Sequence, residues 1–166
     1  MIDIVVCNNN EKELVSMAEY LDFKGLVMIN GKPVESKIPV HKLDIVKIKG
    51  DARPAIEKGV SLIYNVEDRG MKEFMHYRNS GLNQVLCKIA AEKGVSVGFN
   101  MGLIIQGNAY KRSIIMGRMM QNARFCRKFG VKQVVASFAQ DPFEMRGPYE
   151  LMSLAKIIGI EHSDVL

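Results

Sequence analysis

The sequence predicts an α/β fold on a mostly parallel sheet. Short apolar runs of strand length recur along the chain, and amphipathic stretches with helical spacing separate most of them. Glycine, proline and asparagine punctuate the joints. Alternating strands and helices imply parallel pairing through right-handed crossovers. An open doubly wound sheet and a barrel both fit that order. A complete eight-stranded barrel usually needs about 200 residues or more, so a barrel in 166 residues is a reduced one.

The elements follow in order. Ile2–Val6 is a strand, and Asn10 with Glu13 has the capping-box spacing for a helix lined by Leu14, Met17, Ala18 and Leu21. Leu26–Ile29 is the second strand, and the polar segment Lys32–His41 has room for one more short strand. Asp44–Ile48 and Val60–Tyr64 are strands on either side of a short helix, Arg53–Lys58. Asn65–Asn79 is charged and reads as a loop with room for one helical turn. Ser80 is the expected cap of a helix running through Lys93, with Gly94 behind it. Val95–Phe99 is a strand, Met101–Asn108 a loop, and Tyr110–Phe129 the longest helix, with Ile115, Met119, Ala123 and Cys126 on its apolar stripe. Val131–Ala136 is the last strand, and Ser137–Gly147 a loop. Pro148 opens a final helix that stops at Gly159, and Ile160–Leu166 is a short, loosely held tail. The count is six to seven strands.

With 48% hydrophobic and 25% charged residues the chain is neither disordered nor fibrous, and it reads as one domain over residues 1–166. A domain of this size buries roughly 70% of its unfolded surface, so no disulfide or structural metal is needed for a core. The net charge of +5 favours anionic partners. Cys7, Cys87 and Cys126 are too far apart for a C-x-x-C motif and fit a reduced, cytoplasmic protein. No apolar run is long enough to cross a membrane, and the start lacks the basic and apolar regions of a signal peptide. No G-x-G-x-x-G follows the first strand, so dinucleotide binding has no support.

In parallel α/β folds the chemistry lies beyond the C-terminal ends of the strands. Those positions hold Cys7, Asn8, Asn30, Lys49, Asn65, Asn100 and Ser137. They include no histidine or carboxylate, so neither a metal centre nor an acid–base pair is expected. His41, His76 and His162 fall in loops or the tail. Asp3, Asp51, Asp68 and Asp141 are the nearest acids. Asp51 reads as the cap of Ala52–Lys58, and Asp141 before Pro142 as a turn or cap residue. A lone Cys7 reads as a small buried hydrophobe.

The basic residues are better organised. A step of about 100° per residue places Arg118, Arg124 and Lys128 in one sector of the long helix, away from its apolar stripe. Lys111 and Arg112 stand at its start, while Arg78 and Arg146 precede the helices on either side. These seven residues are the expected contacts to the phosphates of a polyanion such as nucleic acid, with a solvated helix face as the alternative. Phe125 and Tyr110 are the available stacking residues, and both read as core. No catalytic or metal-ligating residue is assigned.

Asn79-Ser80-Gly81-Leu82-Asn83-Gln84-Val85-Leu86-Cys87-Lys88-Ile89-Ala90 resembles the Ser-Gly-Leu-Asn-His-Val-Leu stretch of archaeal ribonuclease P protein component 3, a family related to the eukaryotic thirty-kilodalton subunit. A second likeness runs from Asn122 to Gly159. It includes Gln133–Ala136, Ser137, Asp141-Pro142 and Arg146-Gly-Pro148, where the family has Ser-x-Ala-x-x-Pro and then Arg-Ser-Pro. The resemblance implies a TIM-barrel-like fold related to metal-dependent phosphoesterases but without their metal site. It implies a non-catalytic subunit of the ribonucleoprotein that removes the 5′ leader of precursor tRNA. Its partners would be the catalytic RNA, which would hold the magnesium, and other protein subunits, chiefly protein component 2. The chain itself would bind no cofactor. Gln84 stands where the family often has histidine, Ser137-Phe-Ala-Gln140 replaces a Ser-Asp-Ala-His-like stretch, and Ile29–Asp44 is short of a helix. A free metallo-phosphoesterase on the same fold and an RNA-independent structural adaptor are the competing readings.

Overall fold

Period-two burial in the strands decides the architecture. In β1 (Ile2–Val6), Ile2, Ile4 and Val6 join one apolar cluster while Val5 joins another. The same division runs through β2 (Gly25–Ile29), β5 (Leu62–Tyr64) and β7 (Gln133–Ala136). A sheet buried on both faces needs covering on both, and here one face curls on itself while helices cover the other. The computed structural model describes residues 1–70 and 72–160.

The remaining strands are β3 (Val40–His41), β4 (Ile45–Lys47) and β6 (Ser96–Asn100). The helices are α1 (Glu11–Tyr20), α2 (Arg53–Lys58), α3 (Gln84–Lys93), α4 (Gly102–Ile105), α5 (Ala109–Phe129) and α6 (Pro148–Ile158). Every strand ladder among the described residues is parallel, in the orders β1-β2-β3 and β4-β5-β6-β7. Just past β7 the chain joins the two groups. The Phe138 N–H donates to the Ile4 carbonyl at 2.8 Å, and the Val6 N–H donates to the Ala139 carbonyl at 2.8 Å. The strands therefore stand around a ring in chain order, closed between β7 and β1 and unpaired between β3 and β4. This is a TIM-barrel-like fold, with seven strands among the described residues.

Side chains fill the ring. Tyr64 and Phe138 stack inside it with centroids 4.3 Å apart, among Ile4, Val27, Leu62, Val134 and Ala136. Gly98 makes room for them, since a Cβ there would lie 2.8 Å from Phe138 Cζ and 3.0 Å from Leu62 Cδ2. Outside the ring, Leu14 and Ala18 of α1, Ile56 of α2, Leu86 and Ala90 of α3, Ile115 and Met119 of α5, and Leu151 and Leu154 of α6 share a core with Val5, Leu26, Ile63, Val97 and Val135.

Several expectations change. The short strand in Lys32–His41 exists and contains His41, but no helix joins β2 to β3 or β3 to β4, which leaves the ring unpaired there. Asn83, not Ser80, caps α3: its Oδ1 accepts from the Leu86 N–H at 2.9 Å, while Ser80 is buried. Asn10 precedes α1 without capping it, because its amide donates to the Gln140 carbonyl at 2.7 Å and its Oδ1 accepts from the Asn8 N–H. The Met101–Asn108 loop contains α4. The Asn65–Asn79 loop has no helix among its described residues. Residues 161–166, with His162 and nearly all of the expected tail, lie outside the described residues.

Candidate nucleic-acid interface

The loop between β5 and α3 is tied down by α5. On α5 the buried residues Ile115, Arg118, Met119, Asn122, Ala123 and Cys126 follow the three–four spacing of a core stripe. Two of them are polar, and both reach the loop. Arg118 Nε donates to Glu73 Oε1 at 2.6 Å, its Nη1 to the carbonyls of Glu67 at 2.7 Å and Gly70 at 2.8 Å, and its Nη2 to that of Lys72 at 3.3 Å. Asn122 Nδ2 donates to Glu67 Oε1 at 2.7 Å and to the Ser80 carbonyl at 2.8 Å. Gly81 closes the loop with φ +89°, and a Cβ there would collide with the Val66 carbonyl.

Glu67 is fully buried in this network, and burial raises its pKa to about 7 against the opposing hydrogen bond from Asn122. Glu67 Oε2 and Asn122 Oδ1 have no protein partner. A fixed arginine, a neutralisable carboxyl and an amide form a structural latch rather than a reaction site, because their polar atoms face one another.

Arg118 is thus a correction. The expected sector with Arg124 and Lys128 does not hold: Arg118 lies on the core stripe, its guanidinium fully buried and committed to the loop. The other six cations fall into two groups. Four surround the C-terminal end of the barrel. Arg78 donates to the Gly117 carbonyl at 2.7 Å, and Arg112 to those of Ile104 at 3.0 Å and Gly107 at 3.1 Å. Arg146 donates to the carbonyls of Phe143 at 2.9 Å and Met145 at 2.7 Å, and Lys111 Nζ lies 3.6 Å from Asp68. Backbone carbonyls fix the three arginines and the Asp68 carboxylate lies beside Lys111, while donors remain at the surface. Arg124 and Lys128 are exposed near the other end of α5, about 20–25 Å from Lys111 along its axis.

The sequence reading missed an aromatic pair. Phe74 and Tyr77 stack with centroids 4.5 Å apart and planes 19° from parallel, and both rings are exposed. Their i, i+3 spacing would suit a helical turn, but no helix forms over 72–79, and the latched loop brings the rings together instead. Tyr110, expected in the core, is 65% exposed; Phe125 does pack against the core.

The strand ends hold little for acid–base or metal chemistry. Asn100 Nδ2 donates to Asn65 Oδ1 at 2.7 Å, with both side chains buried. Asp3, buried between β1 and the end of β7, accepts from the Ser137 N–H at 2.7 Å, the Ser137 hydroxyl at 2.6 Å and the Ile4 N–H at 2.8 Å. Burial raises its pKa to about 6 despite those bonds. Asp3 is therefore a seam rather than a reactive acid. Asp141 accepts from the Phe143 N–H, as its turn or cap reading expects, whereas Asp51 accepts from the Arg53 N–H but is not the cap of α2, which starts at Arg53 after Ala52. The three cysteines are free and buried, and burial with the nearby Glu11 charge pushes Cys7 up to about 11. Among the described residues, no three His, Cys, Asp or Glu side chains are placed to share a metal ion. No helix there is long and apolar enough to cross a membrane.

Comparison with known proteins fits this frame. Ribonuclease P protein component 3 of Methanosarcina barkeri is 33% identical over 161 residues, covering 92% of this chain and 64% of that protein. The proteins of the same description from Thermococcus kodakarensis and Methanosarcina acetivorans are 32% and 36% identical over 109 and 89 residues. Those matches cover 66% and 54% of this chain but 46% and 37% of the relatives, so they span less than half of those proteins. A chain in a cryo-EM structure of archaeal ribonuclease P with mature tRNA shares the fold, with TM-score 0.67 and 18% identity over 96% of this chain and 83% of that one. The family model for RNase P subunit p30 matches residues 72–165, which include α3, the latching helix α5 and β7, and the chain belongs to that family.

Proposed function

We propose that this chain, acting as one domain, is a protein subunit of ribonuclease P. In that role it supports the catalytic RNA in removing the 5′ leader of precursor tRNA and does not perform the cleavage itself. Family membership carries the reading. Two features support it. The exposed cations Arg78, Arg112, Arg124 and Lys128, with the half-buried Lys111 and Arg146, suit phosphate contacts, which position RNA without reading its bases. The buried acids Asp3 and Glu67 serve the seam and the latch, so neither is free to move a proton on a substrate. The partners on this reading are the ribonuclease P RNA, protein component 2 and precursor tRNA. The setting is cytoplasmic. Magnesium belongs to the RNA subunit, and this chain holds no metal or cofactor.

Reconstitution tests it. The cognate RNA and remaining protein subunits are assayed for leader removal with and without the full chain. Omission should lower activity, and the chain alone should leave the precursor intact. Leader removal by RNA-free protein, or particle activity indifferent to its omission, refutes the reading.

A further inference from the structure

We propose that the loop 72–79 is a single-stranded RNA subsite, in which an unpaired base stacks on the Phe74–Tyr77 pair while the adjoining phosphates follow a basic stripe on α5. This deepens the subunit reading and rests on it.

Three observations carry the proposal. The first is the ring pair itself. Phe74, Met75 and Tyr77 are 40%, 91% and 62% exposed, and they line an open cleft of about 600 Å³ with Glu73, His76, Arg78 and Gln121. Contiguous apolar exposure of this kind marks a contact surface. Stacked rings offer a flat face to any base, whatever its identity.

The second is rigidity. Arg118 holds Glu73 and the carbonyls of Gly70 and Lys72. Glu73 Oε2 accepts from the Asn79 N–H at 2.8 Å, and Arg78 is pinned to α5. Both ends of the aromatic segment are fixed before any ligand arrives, which lowers the ordering cost of binding.

The third is charge, which selects RNA as the occupant. The one acid lining the cleft, Glu73, is bound to Arg118, leaving His76, Arg78 and Gln121 as its other polar side chains. Gly117, Gln121, Arg124 and Lys128 stand at steps of four, three and four, so they share one stripe of α5. Gly117 receives the Arg78 guanidinium, with a Cβ position only 3.0 Å from Arg78 Cζ, and Gln121 lines the cleft. Arg124 and Lys128 then continue outward, about 16 Å from Gly117 to Lys128 along the axis. A stacking bed leading into a cationic track is the arrangement that suits a single strand.

The full chain is titrated with a short fluorescein-labelled oligoadenylate at several salt concentrations, and tyrosine fluorescence is read in parallel. The chain has five tyrosines and no tryptophan, so quenching by a stacked base is visible. Tyr77→Ala should weaken binding roughly tenfold with an unchanged salt slope. Tyr77→Phe should keep the affinity and lose most of the quenching. Arg124→Ala with Lys128→Ala should instead lower the salt slope. Three results overturn the proposal: no oligoadenylate binding by the chain, wild-type affinity in Tyr77→Ala, or protection of Tyr77 in the assembled particle by a protein subunit in place of RNA. None of these depends on whether omission lowers particle activity, so the subsite and the subunit reading fail separately.

Discussion

The inner and outer sides of α5 put the same kind of residue to opposite uses. Inside, Arg118 and Asn122 sit on the core stripe and spend their donors on the loop above, across 42 to 55 positions of sequence. Outside, Arg124 and Lys128 stand in solvent with no ion pair among the described residues. Phase relative to the apolar stripe, not residue type, decides which cation is structural and which is free for a partner. An inner cation is a fixed charge that shapes a surface it does not touch. The outer ones are the surface.

The comparison breaks most visibly at Arg118. Arg118→Ala would strand Glu73 and the carbonyls of Glu67, Gly70 and Lys72 beneath a loop built to meet a guanidinium. Glu73 is about a third exposed, so the cost comes mainly from the buried carbonyls left without a donor, and the expected drop in urea unfolding free energy is about 2–4 kcal/mol. Arg118→Lys should recover little, since one ammonium cannot reproduce the planar fork that reaches four groups. A loss under about 1 kcal/mol in Arg118→Ala would mean that the inner side does not latch the loop.

Much of this was legible in the sequence, and the failures share one cause. Strand order, the long basic helix and the glycines ending α3, α5 and α6 follow from local patterns that the fold obeys. Arg118 was legible too: it lies three residues after Ile115 and four before Asn122, on the stripe itself, although the 100° step grouped it with Arg124 and Lys128. What could not be read are contacts whose two halves are far apart in the chain. Asn10 loses its capping role to the carbonyl of Gln140, and Asp3 becomes a seam only because Ser137 lies beside it. The aromatic pair depends on the same kind of contact, through Arg118. The strand ends read as poor in acids because Glu67 stands three residues past β5, inside what local pattern marks as an ordinary charged loop.

Glu67 sharpens the inner side further. Its pKa is raised from 4.5 to about 7 by burial, so the folded state binds more protons than the unfolded state between those values. Stability is therefore full below about pH 4.5, falls as pH rises through about 7, and stays at the lower level above it. Glu67→Gln removes that fall. It also supplies an N–H in place of one oxygen of a carboxyl whose Oε2 is unpartnered. The expected gain is about 3 kcal/mol near pH 8, shrinking toward nothing near pH 4. Unfolding free energies across that range check it, and a parallel pH profile in wild type and variant would show that Glu67 does not titrate in the folded chain.

The smallest expected effect on stability belongs to the outer side, and its smallness is the point. Arg124 and Lys128 touch no partner that would be stranded by their removal, apart from Lys128 Nζ lying 5.6 Å from the Phe129 ring centroid. An exposed contact of that kind is worth about 0.5–1 kcal/mol at most, and helix propensity changes in favour of alanine. Arg124→Ala with Lys128→Ala should therefore leave the unfolding free energy within about 1 kcal/mol of wild type. RNA binding should respond differently. If both cations neutralise phosphates on a single strand, the log–log salt slope falls by about 1.4 and affinity falls most at low salt. Measured together, the two numbers separate the sides of α5: Arg118→Ala lowers stability, whereas the outer pair changes the salt slope of a protein that is still folded. A large stability loss in the outer pair would place those residues in the fold and remove them from the interface.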